Sequence, residues 1–312
     1  MSAILAIGPY TDAERTAFAA ELKPAFVGTR DELAALDAAT CEAVKAIAYK
    51  GHHAFGGAEM DRFANLGLIA NFGVGYDAID VDAASARGIK VTNTPDVLND
   101  DVADLAIAMW LMQGREMRQA EAWVRDGSWG EKGPVPLNRK VSGGTVGIMG
   151  MGRIGRDIAD RLAAFKCDIH YHARSEKETP GWTYHADPVD LARAVDFLFV
   201  ALVGGPATEK YVSKEVIAAL GDKGVIINIS RGSTIDEEAM LDALETGALA
   251  GAGLDVFVGE PHLNPRFQKL DNVVLQPHQG SGTHETRAAM AKLQRDNVAA
   301  HLAGRELLTP VN

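Results

Sequence analysis

The segment Thr145-Val146-Gly147-Ile148-Met149, followed without a gap by Gly150-Met151-Gly152-Arg153-Ile154-Gly155, constrains this chain more than any other feature. The first five residues read as a short buried strand. A helical pattern then runs from about Ile154 to Phe165, and a second strand, Asp168–His172, follows it. Strand, glycine turn, helix and strand in that order form the unit that cradles a dinucleotide pyrophosphate. Gly150 permits the tight turn, and Gly152 lets a phosphate approach the backbone. Gly155 lets the helix pack close to the strand, while Arg153 and Ile154 open the helix whose N-terminus faces the negative charge. Glycine clusters arise by chance in a chain with 32 glycines, so a turn with no ligand is the competing reading. The flanking elements favour the cofactor.

The end of the second strand selects which cofactor. An NAD site carries an acidic residue there to bind the ribose 2′-hydroxyl. Here His172-Ala173-Arg174-Ser175 occupies the position, with Lys177 two residues further on and no carboxylate before Glu176. Arg174 and Ser175 suit a 2′-phosphate, which an Asp would repel. The expected cofactor is NADPH, with NADH as a weaker alternative; the competing reading is a solvated loop that contains an Arg.

Length and alternation extend this unit to the whole chain. At 312 residues two domains are the default. Short apolar runs recur at Ala3–Ile7, Val44–Tyr49, Leu68–Asn71, Ile89–Thr92, Phe197–Ala201, Val225–Ile229, Ala252–Val256 and Asn272–Leu275. Amphipathic stretches separate them, including Asp12–Leu22, Val189–Val195, Lys214–Leu220 and Glu237–Thr246. The pattern predicts two doubly wound α/β domains with parallel sheets. Two segments break it. Val102–Met117 reads as one long apolar helix with Asn99, Asp100 and Asp101 as capping candidates, and Gly127–Gly144 as a strandless run. The long helix suits a linker that also carries a dimer interface.

Composition narrows the partners. A formal charge of −11 repels phosphate backbones, so nucleic acid is not expected. Ala3–Ile7 is too short for a signal or membrane segment and no later stretch is long enough, so no membrane association is expected. Cys41 and Cys167, far apart in sequence, point to a reducing cytoplasm and to neither a disulfide nor a metal site.

In an open α/β sheet, ligands bind beyond the carboxyl ends of the strands. Val225–Ile229 ends in Ser230-Arg231-Gly232, Ala252–Val256 runs on to Glu260-Pro261, and Asn272–Leu275 ends in Gln276-Pro277-His278. An Arg, a Glu and a His thus leave three strands at one edge. Hydride delivered to a carbonyl carbon leaves negative charge on oxygen, which requires a proton donor, and His serves near neutral pH. A carboxylate beside it favours the charged imidazolium. A planar, permanently charged Arg fixes a substrate carboxylate. Singly, Arg231 reads as a turn cap, Glu260 as a solvated loop carboxylate and His278 as a satisfied, partly buried histidine. Their joint placement predicts a reductase of 2-oxo acids.

With these residues in view, the chain resembles the D-isomer-specific 2-hydroxyacid dehydrogenase family across nearly its full length. The matching stretches are Val74–Asp80 (VGYDAID), Val91–Val102 (VTNTPDVLNDDV), GMGRIG, NISRGSTIDEEAM, GAGLDVFVGEP, QPHQGSGTHETR and the terminal LLTPV. Within the family it looks most like the glyoxylate/hydroxypyruvate reductases and the related hydroxyphenylpyruvate reductases. The resemblance implies Arg231 as the substrate-orienting arginine, Glu260 as the His partner and His278 as acid/base. It further implies that Val74 and Gly75 meet the substrate carboxylate through main-chain N–H groups, and that Asp255 lies beside the nicotinamide carboxamide. It implies a homodimer through the 102–117 region. It also implies a flavodoxin-like substrate domain of residues 1–98 and 286–312, and a Rossmann-type cofactor domain of residues 99–285.

Two departures stand out. Lys50-Gly51-His52-His53 follows the second apolar run, where small or simple polar residues are usual near the substrate. His52 and His53 either line the pocket, as substrate-binding residues, or sit in an exposed loop. Gln279 replaces a commoner apolar residue directly after His278. The favoured substrates are glyoxylate and hydroxypyruvate, with phenylpyruvate-type acids as the alternative. Phosphoglycerate oxidation fits less well with Arg174. A nucleotide-sensing corepressor of the same fold would carry long disordered tails, which this sequence lacks.

Overall fold

A computed structural model describes residues 2–312 and resolves the chain into two compact units. One comprises Met1–Leu98 with Thr283–Asn312, the other Asn99–Gly282. Both are α/β with entirely parallel sheets.

The first unit holds β1 (Ile4–Ile7), β2 (Ala25–Val27), β3 (Ala46–Tyr49), β4 (Leu68–Asn71) and β5 (Lys90–Thr92), in the order β2-β1-β3-β4-β5. This is the flavodoxin-like order. Alternate residues of the central strands feed two cores. Leu5, Ile7, Ile47, Tyr49 and Ile69 face one side. Ile4, Ala6, Ala46, Ala48, Leu68 and Ala70 face the other, with Val298 of the C-terminal helix His284–Leu302. The four alanines on that face leave room for the helix backbone to lie close to β3 and β4. Gln294, on the same helix, is 1% exposed and fully engaged. It donates to Tyr49 O at 3.2 Å and Ala70 O at 2.8 Å, and accepts from the Tyr10 hydroxyl. A buried amide without those partners would cost about 1–3 kcal/mol.

The second unit holds β6 (Thr145–Met149), β7 (Asp168–His172), β8 (Thr183–His185), β9 (Phe197–Val200), β10 (Val225–Asn228), β11 (Gly251–Leu254) and β12 (Val273–Leu275). Their order is β12-β11-β10-β9-β6-β7-β8, so the winding reverses between β6 and β9. That reversal is the switch point where open α/β sheets bind ligands. All seven strands being parallel, every carboxyl end lies along one edge.

The long apolar helix differs from the sequence expectation. It spans Asn99–Gly114, so Asn99, Asp100 and Asp101 form its first turn instead of capping it. It stops at Gly114, where a Cβ would collide with the Val141 side chain, and Glu116 turns left-handed at φ 46°. A separate helix, Met117–Arg125, follows. Trp110, fully buried, meets Phe165, Phe197 and Phe199 edge-on and seats the helix on the sheet. The run 127–144 contains the short helix Ser128–Lys132 and no strand. Two strands had no sequence signal, Ala25–Val27 and Thr183–His185. Each has three residues and lies at a sheet edge, so neither carries a continuous buried run. No helix among the described residues is long and apolar enough to cross a membrane.

Candidate active site

The glycine turn sits where β6 gives way to the helix Arg153–Ala164. Gly150 has φ +104°, and a Cβ there would lie 2.5 Å from Ala201 O. A Cβ on Gly155 would strike the Gly150 carbonyl, so the helix touches the turn backbone to backbone. Gly152 differs from both: a Cβ there would meet nothing within 4 Å. It caps the helix without a side-chain hydrogen bond, so the first-turn N–H groups have no side-chain cap at Gly152. Open space above such a helix start fits an anionic group. The residues present therefore fit a dinucleotide pyrophosphate.

From the end of β7, Arg174, Ser175 and Lys177 lie exposed, with Glu176 among them. The buried His172 ends the strand, with Nδ1 2.9 Å from His185 O and Nε2 2.7 Å from the Tyr211 hydroxyl.

Arg231 leaves the end of β10 on a backbone tied from several sides. The buried Asn228 side chain donates to Arg231 O at 3.0 Å and accepts from Ser230 N, and Thr234 Oγ1 also donates to Arg231 O. The guanidinium donates to Ser230 O at 2.8 Å, which fixes the base of the fork.

Glu260 and His278 come together, with Nδ1 of the imidazole 2.7 Å from Oε2. Their side chains retain 25% and 30% exposure, enough for a reactant to reach them. The other Glu260 oxygen accepts from Phe257 N at 2.8 Å, which stops the carboxylate from rotating. Val258 N, next in the same loop, donates to Glu237 at 3.0 Å. Burial pushes the Glu237 carboxyl up, against the pull of the Val258 N–H, with Glu238 adding to the rise.

His278 is held at φ +54°, a left-handed conformation that costs a non-glycine residue about 1–2 kcal/mol. Asp255 enforces it. Its carbonyl accepts from His278 N, and its two carboxylate oxygens accept from Gln279 N at 2.6 Å and Gly280 N at 2.8 Å. At 2% exposure its carboxyl is pushed above the usual range, first by burial, with Glu260 adding. The two N–H groups and His278 pull the other way. Sequence reading missed this clamp because it depends on how β11 and β12 lie side by side. Gln279 contributes its backbone N–H, and nothing in the structure explains its exposed side chain.

Val74, Gly75, His52 and His53 belong to the first unit, beyond the carboxyl ends of β4 and β3. His52 and His53 are both exposed. The Tyr49 hydroxyl donates to His53 O and folds that loop back onto the strand end. Asn71 donates to Gly73 O and Gly75 O, shaping the turn that carries Val74.

Residues 107–280 match the model of the D-isomer specific 2-hydroxyacid dehydrogenase NAD-binding domain. The chain belongs to the D-isomer specific 2-hydroxyacid dehydrogenase family. It is 48% identical over 247 residues to a glyoxylate/hydroxypyruvate reductase of Arabidopsis thaliana, covering 79% of each chain. It is 47% identical over 252 residues to the hydroxyphenylpyruvate reductase of Plectranthus scutellarioides, covering 81% of this chain and 80% of that one. The NADPH-dependent glyoxylate/hydroxypyruvate reductase of Sinorhizobium meliloti, solved with NADP and malonate, superposes with a TM-score of 0.92 at 43% identity. That match covers 100% of this chain and 97% of the other.

Proposed function

We propose that this protein reduces small 2-oxo acids, glyoxylate and hydroxypyruvate first among them, to D-2-hydroxy acids with NADPH. The observation that carries this reading is the 2.7 Å Glu260–His278 pair on the sheet edge that also bears Arg231 and the glycine turn. NADPH, held at Gly150, Gly152, Arg153, Ile154 and Gly155 and read by Arg174 and Ser175, supplies the hydride. Asp255 contributes to the same cofactor site, each of its oxygens keeping a second lone pair for a carboxamide N–H. Arg231 pairs with the substrate carboxylate, and the main-chain N–H groups of Val74 and Gly75 share its charge. With Nδ1 engaged by Glu260, His278 gives its proton from Nε2 to the carbonyl oxygen as negative charge develops there. Glu260 keeps that imidazole correctly turned.

A panel of glyoxylate, hydroxypyruvate, pyruvate and phenylpyruvates, each assayed with NADPH and NADH, tests the proposal. Expected are the highest kcat/KM for the two small acids and a preference for NADPH of at least ~10-fold, the size of one charge-assisted contact. A preference for NADH, or turnover of none of these acids, would contradict it. His52 and His53 are proposed to contact the substrate's side chain, so replacing both with Ala should reorder small acids against phenylpyruvates. An unchanged ranking would return the pair to an exposed loop.

The proposed homodimer involves the region 102–117. Asp104, Ile107, Ala108, Leu111, Arg161, Ala164 and Phe165 line a shallow hollow there of about 420 Å³. Met117 and Val124, on the next helix, stay half or more exposed, as an unpaired apolar surface that a second copy would cover.

A further inference from the structure

We infer that Tyr171 presets the turn after β7 as a 2′-phosphate cradle, and that Lys177 is a second cation of that cradle beside Arg174. The inference rests on the reading that Arg174 and Ser175 recognise the 2′-phosphate, and it deepens that reading.

Tyr171 lies on β7 between β6 and β8, fully buried, with its ring 5.4 Å from that of Tyr184. Its hydroxyl spends both of its functions on one residue. It accepts from Lys177 N at 2.8 Å and donates to Lys177 O at 3.0 Å. The chain therefore leaves the strand after His172 and is brought back, five residues later, to a fixed point on the strand it left. Two further anchors hold the same segment. The Tyr184 hydroxyl donates to Ala173 O at 3.2 Å, and Arg156 of the helix after the glycine turn donates to Glu178 O. The turn is thus pinned near both ends by β7, β8 and the very helix that faces the pyrophosphate.

This frame presents a hydroxyl and two cations outward. Arg174, Ser175 and Lys177 are exposed, and so are Glu176 and Glu178. Lys177 Nζ lies 3.1 Å from Ser175 Oγ. An ammonium only donates, so Ser175 is the acceptor in that pair and its own proton is directed elsewhere. A hydroxyl polarised in this way by Lys177, with Arg174 adjoining it in the chain, suits a doubly charged oxyanion acceptor. Anchoring the backbone beforehand removes the cost of ordering the loop when the phosphate binds. A tyrosine whose hydroxyl merely needed satisfying would be met by one partner. Here one hydroxyl takes up both the N–H and the C=O of the residue that carries the second cation.

The test is a fluorescence titration of NADPH and of NADH into the intact protein and three variants: Tyr171→Phe, Lys177→Met and Arg174→Met. Tyr171→Phe keeps the ring and removes only the hydroxyl. Tyr171→Phe and Lys177→Met should each raise the NADPH Kd roughly 5–10-fold, the size of one exposed charge-assisted contact, and leave the NADH Kd within about twofold. Lys177→Met should also flatten the salt dependence of NADPH binding. If Arg174→Met weakens NADPH selectively and the other two leave both constants unchanged, the cradle is overturned and the Arg174 reading stands. If Arg174→Met leaves the NADPH-to-NADH ratio unchanged, the 2′-phosphate reading itself fails. Equal weakening of both cofactors by Tyr171→Phe would make that tyrosine a fold residue and overturn its assignment here.

Discussion

Replacing His278 with Ala is expected to lower kcat for 2-oxo acid reduction by roughly 10²–10⁴-fold, the range for losing a positioned general acid. Hydride arriving at carbon without a proton for oxygen leaves an alkoxide, and His278 is the group proposed to supply that proton. NADPH binding should survive, because the glycine turn and the Arg174 segment lie beyond β6 and β7, while His278 follows β12 at the far side of the sheet. The variant keeps the same left-handed backbone, which Asp255 still holds, and does not touch the core, so its thermal stability should change little. Single-turnover kinetics with saturating NADPH separate the chemical step from binding. A loss of less than tenfold in that step would take the proton from another donor.

Arg231→Ala should cost 10²–10³-fold in kcat/KM, since a charge-assisted fork to a carboxylate contributes about 3–4 kcal/mol when lost from one partner only. Arg231→Lys restores the charge but not the planar pair of donors, and should recover only part of it. The backbone at this position is secured by Asn228 and Thr234, which bond Arg231 O and not its side chain. The fold should therefore tolerate the change. A substrate KM that does not move, with a large fall in stability, would make Arg231 a turn residue.

Much of this architecture was legible in the sequence because its strands are buried on both faces. Runs such as Phe197–Val200 and Val225–Asn228 stay apolar throughout and announce themselves. Edge strands do not: Ala25–Val27 and Thr183–His185 are half solvated, and their pairing follows from neighbours distant in sequence. The helix Asn99–Gly114 illustrates a different limit. Its acidic start read as a cap and its end as continuous with Met117, because the break comes from the left-handed backbone at Glu116 beside a glycine packed on Val141, which sequence spacing cannot place. The candidate site divides in the same way. The residues that carry charge at strand ends, Arg231, Glu260 and His278, stand in recognisable runs. The groups that hold them do not. Asp255 clamps Gln279 and Gly280 across two neighbouring strands, Glu237 catches Val258 from a helix start, and Tyr171 grips Lys177 from below. Each is an ordinary residue in the sequence and becomes specific only through register.

The central claim of the proposal is that Glu260 and His278 act as a pair, with the imidazole as the proton donor for 2-oxo acid reduction. The pH dependence of kcat/KM for glyoxylate with NADPH, measured in wild type and Glu260→Gln, tests it most directly. Reduction needs the protonated imidazole, so activity is present on the acid side and is lost as pH rises through an alkaline limb. Glu260→Gln keeps the shape and removes the negative charge that favours the proton, so the limb should move to lower pH. An alkaline limb that stays in place, or moves to higher pH, would contradict the account.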